Sequence, residues 1–218
     1  MKRTTSEWTS VLRACGVAGS TAALWGEVFA DVVKERTFSQ DQDDLADFLP
    51  NVLHESMMLE RMEESLNYAA DRLVAVFGAH RITPAQAQQV GRIPGRQQAD
   101  QRAIANIVYG GAWGRKSLGN ILPDDGWTYR GRSPIQITGR ANYERVGDLV
   151  GQNLVGIPDL LSQPRFALEA CIAWWEDRIP DSMLGETTSI RERVNGGRNG
   201  LAEVRELTAK ARAALGIA

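Results

Sequence analysis

Two glutamates nine positions apart, Glu55 and Glu64 in HESMMLERMEESLNY, have the residue type that acid–base chemistry needs. One carboxyl that keeps its proton can push out a leaving oxygen, while a second, ionised one activates water. Glu55 follows Phe48, Leu49, Val52 and Leu53 and precedes Met57, Met58 and Leu59, which predicts the drier setting, suited to a proton donor. Glu64 lies among Glu60, Glu63 and Asn67, a polar neighbourhood suited to a charged base. On one straight helix, nine steps of about 100° would put the two side chains on opposite sides, with ~13.5 Å of rise between them. Both can serve one substrate only if the helix ends soon after Glu55 and the chain folds back. Spacing alone also fits a solvated helix face, with Glu60 and Glu64 as ordinary i,i+4 neighbours.

The elements that must position these residues are mostly helical, because apolar spacing and helix punctuation dominate over strand-like alternation. Thr4 and Glu7 form a capping box for a first helix ending at Gly16, and a second follows Ser20. A third begins in the acidic segment 41–44 and runs into His54 and Glu55, with Pro50 predicted to kink or restart it. Residues 69–77 form a short helix stopped by Gly78, and Thr83-Pro84 opens another stopped by Gly91. Residues 97–109 read as a longer helix, and 110–126 as an irregular glycine-rich loop. Residues 128–138 are the best strand candidate, a small hairpin. Helices resume at 141–150, 164–178 and 201–215, with Asn199 a cap and Gly216 a stop.

At 218 residues the chain fits one domain, 1–218, with no linker to a separate binding module. A net charge of −2 supplies no basic field for nucleic acid or an anionic membrane. Cys15, Cys171, His54 and His80 lack metal-ligand spacing, so no metal is expected, and two buried free thiols are the default. Lys2 and Arg3 before the uncharged stretch 14–26 faintly suggest a secretory signal. Glu7, Arg13 and the internal glycines argue instead for a helix and a turn.

A second block, GWTYRGRSPIQITGRANY (126–143), adds a wider pattern. Together with His54-Glu55-Ser56, Glu64-Ser65-Leu66-Asn67-Tyr68, Arg81-Ile82-Thr83-Pro84, Ala103-Ile104-Ala105-Asn106 and Val194-Asn195-Gly196-Gly197, it resembles the family 19 glycoside hydrolases, most closely their single-domain bacteriophage endolysin branch. The resemblance runs in order along essentially the whole chain. It implies a mainly α, lysozyme-like bilobal fold with one small β-hairpin and a substrate cleft. Glu55 matches the family's general acid, Glu64 its general base, and Thr138 the hydroxyl that helps hold the attacking water. Gln136, Asn142 and Asn195 match side chains that hydrogen-bond the sugar chain. Tyr68, Tyr109 and Trp127 offer flat apolar faces to sugars, with core packing the equal alternative.

The implied activity is inverting hydrolysis of β-1,4 bonds in peptidoglycan glycan strands, without metal or organic cofactor. It implies a monomer made in the host cytoplasm and reaching the wall by holin-type release, with no stable membrane insertion. A chitinase acting on N-acetylglucosamine polymers is the first alternative, and an inactive glycan-binding protein the second. The chain departs from the family at Met57-Met58, where two glycines are usual, and at Ser133, where glycine is customary. An arginine of the last helix is matched by Arg205.

Overall fold

The computed structural model describes residues 3–217, so Lys2 of the signal-like start lies outside it. In chain order the helices are α1 (Thr5–Ala14), α2 (Gly19–Val32), α3 (Gln42–Glu55), α4 (Ala70–Phe77), α5 (Pro84–Val90) and α6 (Gln101–Val108). They continue as α7 (Gly111–Leu118), α8 (Asp125–Thr128), α9 (Arg140–Val150), α10 (Pro164–Arg178), α11 (Thr187–Asn195) and α12 (Leu201–Leu215). The fold is mainly α. Isolated bridges are the only β pairing among the described residues. Among the described residues, no helix is long and apolar enough to cross a membrane.

The chain divides into two compact units. Unit 1 takes the described parts of Met1–Met62, Ser133–Gln136 and Leu160–Ala218; unit 2 takes Glu63–Arg132 and Ile137–Asp159.

In unit 1, α1 packs on α2, and α3 on α12. The core is aromatic: Trp8 meets Phe29 at 4.9 Å, and Phe48 meets Trp175 edge-on at 5.6 Å. Every residue of α3 from Asp44 to Leu53 is buried. Polar groups among them find partners, as when Trp175 Nε1 donates to Asp44 Oδ1 at 2.8 Å, though Asn51 Oδ1 has no hydrogen-bond partner. That all-round burial explains why α3 continues through Pro50 instead of restarting there. Packing outweighs the roughly 3 kcal/mol that an internal proline costs. Cys15 and Cys171 are free and buried; burial pushes the Cys15 thiol up to about 11 and the Cys171 thiol up to about 12.

Unit 2 has a smaller core around Leu66, Leu73, Ile82, Ile104 and Val108. Polar links supply much of the rest. Asp125, almost fully buried, accepts from Arg140 Nε and Nη2 at 2.9 and 2.8 Å and from the amides of Ile121 and Leu122. Burial raises the Asp125 carboxyl, but Arg140 and those amides outweigh it and hold it below the usual carboxylate range.

Several local expectations are corrected. The helix expected over 97–109 starts only at Gln101, because Asp100 caps it by accepting from Ala103 N at 3.0 Å. The loop expected over 110–126 contains α7, and Gly114 lets that helix approach the Tyr109 carbonyl, where a Cβ would collide. The strand expected over 128–138 begins as the end of α8. What remains of the hairpin is the bridge Arg132↔Ile137, with Glu63 bridging Arg132 from the other side. Helix α11 was not anticipated, and Gly200 rather than Asn199 caps α12.

Candidate active site

In unit 1 the backbone breaks directly after the first glutamate. Helix α3 ends at Glu55, and Ser56 secures the end: its Oγ donates to Val52 O at 2.7 Å and accepts from Leu59 N at 2.8 Å. Met57, Met58 and Leu59 then all take left-handed φ values of 51°, 61° and 66°. Glycine adopts that region freely, whereas side chains cost roughly 1–2 kcal/mol each. The exposed Met57 bears its strain openly, whereas Met58 packs against the core.

The Glu55 side chain is 23% exposed, and the apolar pocket expected around it holds a guanidinium instead. Arg191 of α11, 2% exposed, places Nη1 2.5 Å from Glu55 Oε1 in an ion pair without hydrogen-bond alignment. Arg205, on α12, donates to Thr188 Oγ1 at 3.0 Å. Arg191 Nε donates to Asn199 O at 2.7 Å, and Asn195 Nδ2 reaches the same carbonyl at 3.0 Å. Asn195 Oδ1 accepts from Gly197 N at 2.9 Å, so this side chain shapes the turn after α11 and braces the arginine. His54 lies against Gly200, which has φ +74° and no room for a Cβ. Gln136, at φ +58°, donates Nε2 to Ser133 O at 3.0 Å.

In unit 2, Glu64 lies on irregular chain, not on a helix shared with Glu55. Its amide donates to Gly131 O at 2.9 Å, and Gly131 N–H returns a bond to Glu64 Oε1 at 2.5 Å. Tyr109 Oη donates to Glu64 Oε2 at 2.7 Å. Glu63 and Ile137 flank Arg132 as antiparallel partners, so Glu64 and Thr138 run on in the same direction on either side of Gly131. At about 4.8 Å per bridge, the two backbones are about 10 Å apart. Asn142 Nδ2 donates to Thr138 O at 2.7 Å, tying the start of α9 to that position.

Tyr68 meets Phe77 edge-on at 5.2 Å, and the Arg130 guanidinium covers the Trp127 ring at 3.9 Å. Both rings therefore have packing partners within unit 2. Sequence reasoning missed Glu63 as a support. It pairs with Arg130 Nη2 at 2.6 Å and with the buried Arg132 Nε at 3.5 Å, which fixes the backbone just before Glu64. The only signal for it was charge complementarity with the RGR stretch.

Residues 110–182 match the family described as chitinase class I. A Haemophilus influenzae protein described as glycosyl hydrolase family 19 domain-containing is 30% identical over 156 residues, covering 72% of this chain and 72% of that relative. Rice Chitinase 11 (Oryza sativa subsp. japonica) is 43% identical over 65 residues, 29% of this chain but only 25% of that protein. Among solved structures, chitinase C from Streptomyces griseus covers 97% of this chain and 69% of its own, with a TM-score of 0.49 and 16% identity. The chain belongs to glycoside hydrolase family 19. It is accordingly a sugar-cleaving hydrolase with chitinase-like sequence.

Proposed function

We propose that this hydrolase is an endolysin-type enzyme that cuts β-1,4 bonds of peptidoglycan glycan strands with inversion. Glu55 gives its proton to the glycosidic oxygen, and the carboxylate so formed meets the Arg191 guanidinium. Glu64 takes a proton from the water that attacks the anomeric carbon from the opposite face, with the Thr138 hydroxyl helping to hold that water. Inversion requires the two carboxyl groups ~6.5–9.5 Å apart when the glycan is bound. Gln136, Asn142 and Asn195 offer amide groups suited to N-acetylated sugars.

The observation that carries the reading is the end of α3 at Glu55, which frees Glu64 from the opposed geometry of a shared helix. Glu64 accepts from two uncharged donors, the Tyr109 hydroxyl and the Gly131 amide, as suits an anionic base. The wall substrate is put before chitin on the resemblance of the motifs to endolysins, since the long relative is described by its family alone and names no substrate. On this reading the enzyme is made in the cytoplasm and reaches the wall by holin-type release.

Purified sacculi and chitin oligomers should be digested in parallel, with new reducing ends identified by mass spectrometry and the first-formed anomer by NMR. The expected result is soluble muropeptide-bearing fragments released as the α-anomer. Chitin cleavage without release from sacculi would establish the chitinase reading, which the match of residues 110–182 favours. A first-formed β-anomer would refute inversion.

A further inference from the structure

Irregular chain does not by itself hold a side chain in one rotamer, yet an acid–base group needs its reacting atom placed closely. Glu64 has that problem, and Tyr109 is the best-anchored group touching it. The tyrosine amide donates to Ala105 O at 2.9 Å, and its carbonyl accepts from Asn120 Nδ2 at 2.9 Å. Phe77 meets its ring edge-on at 6.1 Å and 89°, and Phe77 is itself backed by Tyr68. Arg81, whose guanidinium carbon sits 3.3 Å from the Trp113 ring centroid, contributes charge near the phenol. Burial and the Glu64 carboxylate push the Tyr109 phenol far above its ordinary range, so it stays a donor throughout the working pH.

We propose that Tyr109 is a positioning residue whose hydroxyl, rather than its ring face, serves the reaction by fixing Glu64 against Gly131. A carboxylate has about four acceptor sites, so bonds from Tyr109 and Gly131 leave room for a water on each oxygen. This rests on Glu64 being the base, and it displaces the reading of Tyr109 as a sugar platform. A sugar platform works through its ring and survives loss of the hydroxyl; a positioning donor does not.

The test is steady-state kinetics on a soluble glycan oligomer with Tyr109→Phe, Glu64→Gln and the wild-type chain. Tyr109→Phe should lower kcat roughly 10–30-fold and leave KM within about twofold, the pattern of lost placement rather than lost binding. Incorporating 4-aminophenylalanine at 109 restores a donor on the same ring and should return kcat to within about threefold of wild type. A raised KM with preserved kcat overturns the proposal, as does an unchanged pair of constants, or failure of the aminophenyl residue to rescue. If Tyr109→Phe unfolds, recovery of kcat with the aminophenyl residue still supports the proposal and its absence rejects it. Full activity in Glu64→Gln would instead remove the base assignment, whereas an inactive Glu64→Gln beside a normal Tyr109→Phe rejects only the positioning role.

Discussion

Glu55 closes a helix buried for ten consecutive residues and faces one guanidinium, whereas Glu64 sits on irregular chain between a phenol and a backbone amide. In unit 1, position comes from a backbone locked by apolar packing, and the polar contact is added at the end. In unit 2, position comes from hydrogen bonds, because the Leu66–Val108 core is small and no strand ladder supports the segment. A helix end tolerates little sideways drift once its core is packed. A hydrogen-bonded loop is only as fixed as its donors. The same side chain is thus held in two ways, and the two ways fail to different substitutions.

The comparison is broken most directly at the glutamates. Glu55→Gln and Glu64→Gln should each lower turnover by ~100-fold or more with folding preserved, read as reducing ends released from glycan. The exposed Glu60→Gln should stay within about threefold. Near-normal turnover in either of the first two would take that residue out of the reaction.

The claim that unit 2 depends on polar links is sharpened by Asp125→Asn, which keeps shape but loses the charge facing Arg140. Denaturant unfolding should report a loss of about 2 kcal/mol at neutral pH, in line with removing one partner of a buried pair that keeps some hydrogen bonding. Because the folded carboxyl is depressed, its stabilisation is full above the ordinary carboxylate range and is lost as pH falls through the folded value. The variant should therefore lose less stability than wild type on acidification. A parallel acid profile would show that Asp125 contributes nothing through its charge.

The smallest effect is expected at Ser133 of unit 1, which is buried at φ +69° with its Oγ facing only the weakly hydrogen-bonding Cys171 thiol. Ser133→Gly relieves the left-handed backbone and removes a poorly satisfied hydroxyl, offset by the added freedom of the unfolded chain. The net gain should be about 1 kcal/mol, visible as a raised Tm. A fall in Tm would mean that the hydroxyl's contact with the Cys171 thiol outweighs both.

What the sequence revealed was local. The Thr4–Glu7 capping box, Thr83-Pro84 at the start of α5, Pro164 at the start of α10 and Gly216 after α12 act on their own neighbours, so those helices were legible. The need for a break after Glu55 was also legible, from the angular mismatch of the two glutamates alone. Helix α7 was hidden because its glycines read as a loop until Gly114 is seen against Tyr109. The truncated hairpin was hidden because Arg132 pairs with Glu63, far back along the chain. Arg191 could not be assigned to Glu55 from spacing, since no local pattern marks a contact between α3 and α11. The bond from Tyr109 to Glu64 was not legible, because an aromatic's ring is visible in a sequence and the target of its hydroxyl, 45 residues away, is not.

The division of the chain also sets an order of events at the ribosome. Residues 63–159 hold the whole of unit 2, interrupted only by 133–136 of unit 1, while α3 waits for α10 to α12 before its apolar flanks are covered. Until residue 215 has been translated, that proline-bearing helix is an open sticky surface for chaperones or for other nascent copies. Stalling translation between residues 160 and 215 should therefore be the moment of greatest aggregation, and a protease should find unit 2 already resistant while residues 42–55 are still cut.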